Sequence, residues 1–103
     1  MYYVVYAEVD AEAEVEWVAW MREHHVAEVV RTGYFDNALM LRVEGSVGSR
    51  PAYRMIYSAA DAAAIDAYLA GPAARLRAEH QARFDGRVEA RREQLSVVAR
   101  ITR

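Results

Sequence analysis

Cysteine and lysine are both absent from this chain of 103 residues. The absence of cysteine excludes disulfide bonds, thiolate nucleophiles, iron–sulfur clusters and zinc sites built on thiolates. All 13 basic residues are arginine. A P-loop lysine is therefore excluded, and only the N-terminal amine is available for Schiff-base chemistry.

Long apolar runs and clusters of positive charge are also missing. No run approaches the roughly 20 apolar residues that span a bilayer, and the first ten residues, MYYVVYAEVD, lack the basic start of a signal peptide. The net charge is -2, with no basic stripe of the kind that binds phosphate backbones. We therefore expect a cytoplasmic protein that binds neither membranes nor nucleic acid.

The residues that are present predict one folded domain over residues 1–103. Hydrophobic residues make up 54% of the chain, well above the level of a disordered sequence, and the length suits a single core. Runs of β-branched and aromatic residues predict strands. They lie at residues 2–9, 34–44, 52–58 and 87–99, and a turn-rich loop is predicted at 45–51.

Two helical regions separate these strands. The first is predicted over residues 11–31, with acidic residues at its start and Gly33 just beyond its end. The second begins after Asp61, is interrupted at Gly71-Pro72 and resumes to residue 84. The order βαββαβ predicts a ferredoxin-like α+β fold, in which both helices cover one face of a four-stranded antiparallel sheet.

The first strands are apolar on both of their alternating sides. In the first strand, Tyr2, Val4 and Tyr6 occupy one side, and Tyr3 and Val5 the other. Helices on one face would cover only one of these sides, and the other would need a second cover. We therefore expect a homodimer joined through the sheet face, a dimeric α+β barrel.

The helical periodicity separates the two adjacent histidines of the first helix. A spacing of 100° per residue places His25 on the side of the sheet and His24 on the side of the solvent. In the second helix, His80 shares an inward stripe with Leu76 and Phe84. The same projection turns Val15, Val18, Val26 and Val29 toward the sheet, with Met21 at the edge of the stripe, and turns Trp20 and Ala27 away.

The two inward histidines define a candidate site beneath the helices, with His25 and His80 as a catalytic acid/base pair. Histidine titrates near neutral pH and suits proton transfer. Side chains that could complete a substrate-binding pocket are Trp17, Met21, Tyr57 or Tyr53, Tyr68, and Arg42 or Arg54.

Each of these residues also has a structural interpretation. The histidines could be hydrogen-bonded core residues, and the tryptophans could serve packing alone. The strand tyrosines could be dimer contacts. The run RVEARR at 87–92 is interpreted as a solvated or charge-paired edge strand.

Two motifs resemble a family of short bacterial proteins known only as a domain of unknown function. The first is W-x-x-W-M-x-x-x-H-x-x-E-V-x-x-T-G-x-F at residues 17–35, which includes His25, and the second is L-R-x-E-H-x-x-R-F-x-G-R at 76–87. The resemblance covers nearly the whole chain and implies the dimeric α+β barrel superfamily, and hence a homodimer. Family members often carry proline where Ala27 stands here. Relatives of this shape include cofactor-free monooxygenases, haem-binding proteins, isomerases, cyclases and ligand binders, so the resemblance implies no single activity.

Three functional hypotheses follow. The first is binding of a small metabolite with cofactor-independent acid/base catalysis by His25 and His80, of the isomerase, cyclase or decarboxylase type. The second is a non-catalytic module that binds a ligand or a protein. The third is haem or metal binding, although no H-E-x-x-H or comparable spacing fixes a metal site. The first is favoured, with no metal and no cofactor expected.

Overall fold

The computed structural model describes residues 1–46 and 50–103, which form a four-stranded antiparallel sheet with helices against one face. The strand order is β2-β3-β1-β4. This confirms the predicted ferredoxin-like α+β fold. The predicted loop over 45–51 includes residues 47–49, which lie outside the described part of the chain. The strands are β1 Tyr2–Val9, β2 Asn37–Arg42, β3 Ala52–Ser58 and β4 Val88–Leu95.

The first helical region is less regular than predicted. A 3-10 turn, Ala11–Ala13, leads into helix α1, Glu14–Trp20. A π-helical segment, Met21–His25, follows and joins helix α2, Val26–Arg31. A π turn holds more residues than an α turn, so it rotates the positions after it relative to those before it.

This irregular helix buries a different stripe from the one that a regular helix predicts. Trp17, Met21 and Val29 are buried, whereas Val15 is 85% exposed. The prediction that Val15 joins the core is therefore wrong. The helix rolls to bury the indole of Trp17, because the larger ring removes more apolar surface from water. Val18 and Val26 are half-buried at the edge of the core.

The second helical region agrees with the sequence prediction. Asp61 caps helix α3, Ala62–Ala70, by accepting a hydrogen bond from the backbone N–H of Ala64 at 3.0 Å. The chain breaks at Gly71-Pro72 and continues as helix α4, Ala73–Phe84. Leu76 and Phe84 of α4 are buried against the sheet side.

The two faces of the sheet differ in their cover. The side chains of Tyr3, Val5 and Ala7 in β1 point toward the helices. The opposite face carries apolar side chains that remain partly or largely exposed in the single chain, including Leu39 at 56% and Leu95 at 43%. Beyond β4, residues 96–103 have no regular secondary structure. Within the described ranges, no helix is both long and apolar enough to cross a membrane.

Candidate functional site

The structure brings His25 and His80 together between the helices. His25 ends the π-helical segment and His80 lies in α4, and their ring centroids are 5.7 Å apart. Both side chains are half-buried, whereas His24 is exposed. The predicted difference in orientation between the two adjacent histidines is therefore confirmed.

Trp17 fixes one side of His80. The buried indole Nε1 of Trp17 donates a hydrogen bond to Nε2 of His80 at 2.9 Å. Since an indole nitrogen can only donate, Nε2 of His80 must be the acceptor and carries no proton. The neutral ring of His80 therefore carries its proton on Nδ1.

Trp20 forms an aromatic wall beside the pair. Its ring stacks on His25 at 5.5 Å with an interplanar angle of 27°, and it lies 5.5 Å from Phe84. The sequence prediction, which assumed a regular helix, turned Trp20 away from the sheet. The π turn instead brings Trp20 against His25, which lies five residues further along the chain. This contact is the main feature of the site that helical periodicity misses.

Burial keeps both histidines neutral. It lowers the pKa of His25 to about 4, with smaller contributions from the nearby His80 and from the positive charge of Arg92. Burial is also the main cause that lowers the pKa of His80, and Arg92 adds to the effect. Both imidazoles are therefore uncharged at pH 7 and can each accept or donate a hydrogen bond.

Arg92 is a site residue that sequence reasoning missed. It lies in β4 opposite Val5 of β1, so its side chain projects from the helix-covered face of the sheet. A cavity of about 30 Å³ separates it from His80, with Trp17 and Met21 also in the lining. Such a cavity has room for about one or two water molecules. The alternation of β4 places Arg92 on the same face as Val88 and Ala90, and this signal could have identified it.

The predicted tyrosines form a neighbouring cluster. Tyr57 and Tyr68 pack with Tyr3 and Phe35 at ring-centroid distances from 5.0 to 6.1 Å. Burial raises the pKa of Tyr68 to about 12 and raises that of Tyr57 as well. Both hydroxyls therefore stay protonated at neutral pH, and neither tyrosine lines the small cavity beside His80.

Arg42 and Arg54 are not brought to the histidine pair, so this part of the predicted site is corrected. Arg42 is at the end of β2, where its Nε lies 3.1 Å from a carboxylate oxygen of Glu14. Arg54 projects from the uncovered sheet face, 4.5 Å from the ring centroid of Tyr6. The sheet order explains the first result, since β2 and β4 form opposite edges. Strand parity explains the second, because Arg54 alternates with the inward Tyr53 and Met55.

In the part of the chain that the structure describes, no group of three or more histidine, cysteine, aspartate or glutamate side chains could hold a metal ion. The histidine pair comes closest to such a group, with two potential metal ligands. One of its four nitrogens, Nε2 of His80, is already engaged by Trp17. The site is therefore built from two neutral imidazoles, an aromatic wall and one guanidinium.

These features define a small α+β protein of ferredoxin-like architecture with a half-buried histidine pair between helices and sheet. Similar folds occur in a variant of MhuD with two manganese protoporphyrin IX bound per active site (TM-score 0.68, 24% identity, 99% of each chain covered). A dimeric ferredoxin-like protein from an uncultured marine organism is also similar (TM-score 0.68, 15% identity, 97% of each chain). HapK from Hahella chejuensis has a TM-score of 0.62 and 15% identity, over 99% of this chain and 100% of that one. At these identities the likeness supports the fold.

Residues 1–98 match the family described as a domain of unknown function, DUF4286, and the chain belongs to that family. This agrees with the resemblance carried by the two sequence motifs. No curated protein matches the sequence.

Proposed function

We propose that this protein binds a small metabolite between its helices and its sheet, and that His25 and His80 transfer a proton on the bound molecule. The observation that carries the proposal is the pairing of two half-buried, neutral imidazoles 5.7 Å apart. A cavity reaches His80 from the side of the sheet. Histidines with lowered pKa values that lie together near a cavity are typical of functional sites.

The two imidazoles have different roles in this proposal. His80, whose Nε2 is held by Trp17, offers its Nδ1 proton to a carbonyl oxygen of the ligand. His25 removes a proton from the carbon next to that carbonyl, and the electron pair of the broken C–H bond moves onto the oxygen to form an enolate. The positive charge of Arg92 stabilises that enolate. Return of the proton to the oxygen gives the enol, and in a ligand with a carbon–carbon double bond conjugated to the enolate, return to the far carbon shifts that double bond.

A second candidate is binding without catalysis, and the pKa of His25 favours it. A general base works best when its pKa is near the pH of the reaction, and that of His25 is about 4. Such a group is always free to accept a proton at pH 7 but is a weak base. In this case the pair would only provide hydrogen bonds to a ligand.

Haem binding is less well supported. The MhuD variant holds two manganese protoporphyrins per active site, so a fold of this shape can house a large planar ligand. In the present chain, however, Nε2 of His80 would have to give up its bond to Trp17 before it could bind iron. Addition of haemin to the purified protein, followed by absorbance, tests this alternative directly.

We also propose that the protein is a homodimer joined through the uncovered sheet face. This face carries Tyr2, Val4 and Ile56 on the central strands, and the exposed Leu39 and Leu95 on the edge strands. Large apolar side chains that remain exposed on one face of a sheet favour a surface that a partner covers. A second copy, related by a two-fold axis, would present the same residues in return.

Exchange of carbon-bound hydrogen for deuterium tests the catalytic proposal. The protein would be incubated in deuterium oxide with a panel of α-keto and β-keto acids, and loss of the α-proton signals would be followed by proton NMR. We expect exchange that the His25→Ala change abolishes and the His24→Ala change leaves intact, because His25 lies against His80 whereas His24 is exposed. Equal effects of both changes would contradict the site. Absence of exchange with the whole panel, together with ligand affinity that survives glutamine at both His25 and His80, would favour the non-catalytic candidate.

A further inference from the structure

We infer that Arg92 and Arg77 form an anion-binding site at the entrance to the histidine pair, and that the ligand is a small, flat carboxylate. This inference rests on the proposed function and deepens it, because it names the chemical class of the ligand. It concerns the edge of the molecule where α3, α4 and β4 meet.

A groove of about 220 Å³ lies at this edge. Arg92 lines both this groove and the small cavity beside His80. In this inference a ligand enters the groove and meets Arg92 before it reaches the histidine pair. The groove is lined by Tyr3, Leu69, Arg77, Arg92, Glu93 and Gln94.

The charges in the groove favour an anion. Arg77 donates a hydrogen bond to the hydroxyl of Tyr3 at 2.9 Å, an uncharged partner that holds the guanidinium in place and leaves its charge uncompensated. Within residues 1–46 and 50–103, neither Arg77 nor Arg92 makes an ion pair. The positive charge of Arg92 instead acts inward, where it lowers the pKa values of His25 and His80.

The one acidic side chain of the lining is committed elsewhere. Glu93 accepts a hydrogen bond from the hydroxyl of Tyr6 at 2.7 Å and another from Arg91 at 3.0 Å. Tyr6 belongs to the opposite sheet face, so these bonds draw the carboxylate away from the helices. The groove is left with two guanidinium groups that have no carboxylate partner.

The size and walls of the groove define the rest of the ligand. Sites for drug-sized molecules are typically about 300–1,000 Å³, and this groove is smaller. Guanidinium groups bind carboxylates through two parallel hydrogen bonds, and Tyr3 and the apolar Leu69 lie beside them in the lining. A single ring or a short unsaturated chain with one carboxylate fits these requirements.

Benzoate is a suitable probe, with benzamide as its uncharged counterpart. Each would be titrated into nitrogen-15-labelled full-length protein, and backbone amide shifts would be followed by NMR. We expect saturable benzoate shifts at Tyr3, Leu69 and Gln94, and much weaker shifts with benzamide. Loss of a charge-assisted bond should weaken benzoate binding by about tenfold or more in Arg92→Gln.

Arg91→Gln is the matched control. Arg91 is the preceding residue of the same strand but projects from the opposite face, where it lies over the ring of Tyr6. This change should alter benzoate affinity by less than about twofold, because Arg91 lies on the opposite sheet face and the hydrogen bond from Tyr6 still holds Glu93 there. Thermal melting of both variants would verify that each is folded.

Three results would overturn the anion site: equal losses in Arg91→Gln and Arg92→Gln, equal binding of benzamide and benzoate, or no saturable shift in the groove. None of them bears on the deuterium exchange that depends on His25, so the proposed function would survive. If benzoate binds through Arg92 but no keto acid exchanges its α-protons, the anion site stands and the catalytic role of the histidines fails.

Discussion

The indole of Trp17 in α1 donates its proton to Nε2 of His80 in α4 across 2.9 Å. This bond joins two residues that are 63 positions apart in sequence, on two different helices, and selects one tautomer of the imidazole. A packing residue in the first helix thereby determines which proton the second helix can offer to a ligand.

Trp17→Phe should change the tautomer of His80. The substitution keeps an aromatic ring but removes the indole N–H that donates to Nε2 of His80. Nε2 then becomes free to carry a proton itself. The nitrogen-15 shifts of the imidazole ring would report the change. The smaller ring and the lost bond should also reduce the free energy of unfolding by about 1–3 kcal/mol.

Trp20→Phe provides the comparison for this prediction. Trp20 stacks on His25 and lies 5.9 Å from the ring of His80, but it gives no hydrogen bond to either. Its replacement should leave the His80 tautomer unchanged. An equal shift of the tautomer in both variants would show that general packing, rather than the bond from Trp17, controls the ring.

Acid should destabilise the protein through His25. Its pKa is about 4 in the folded state against the ordinary value of 6.5, so the unfolded chain binds the proton more tightly. The stability is therefore complete above about pH 6.5 and is lost as the pH falls toward 4. The loss amounts to about 3 kcal/mol at most, and His80 acts in the same direction. Urea unfolding at a series of pH values would measure it.

The change His25→Gln should flatten this pH dependence, because glutamine does not titrate. His24→Gln serves as the control, since His24 is exposed. If the stability of the wild-type protein were constant between pH 6.5 and 4, the assigned burial of His25 would be wrong.

Leu39→Glu should weaken the proposed homodimer. Leu39 belongs to the uncovered sheet face and is 56% exposed in the single chain. A buried carboxylate without a partner is costly at an interface. Light scattering after size-exclusion chromatography should give twice the monomer mass for the wild-type chain and a shift to the monomer for the variant.

Val15→Glu tests whether this effect is specific to the sheet. Val15 is 85% exposed, but it lies on α1 and away from the uncovered face. This change should leave the mass at that of the dimer. A wild-type monomer at micromolar concentration would remove the basis of the dimer proposal.

The secondary structure was readable from the sequence because local signals and tertiary structure agree. The β-branched and aromatic run at residues 2–9 and the alternating run at 52–58 are strands with the predicted bounds. Asp61 caps the second helical region as its side chain and position require. The inward direction of His80 followed from its four-residue spacing to Leu76 and Phe84, in a helix that stays regular.

The site was only partly predictable, for two physical reasons. No residue type marks the π turn at 21–25, so the contact between Trp20 and His25 could not be derived from a regular helix. The choice between Arg54 and Arg92 requires the strand pairing, because side chains alternate between faces and a shift of one residue exchanges them. Arg54 lies on the outer face and Arg92 on the inner one.

The π turn also keeps the two ends of the first helical region on the same side. Trp17 and Val29 are both almost fully buried and are twelve residues apart. In a regular α-helix, positions eleven residues apart return to the same side within roughly 20°. The helix thus resembles three regular turns with one additional residue. The additional residue lies in the π-helical segment, where the side chains of Arg22, Glu23 and His24 are exposed. Deletion of Glu23 would leave Trp20 and His25 four positions apart, which is the spacing of neighbouring side chains in a regular α-helix.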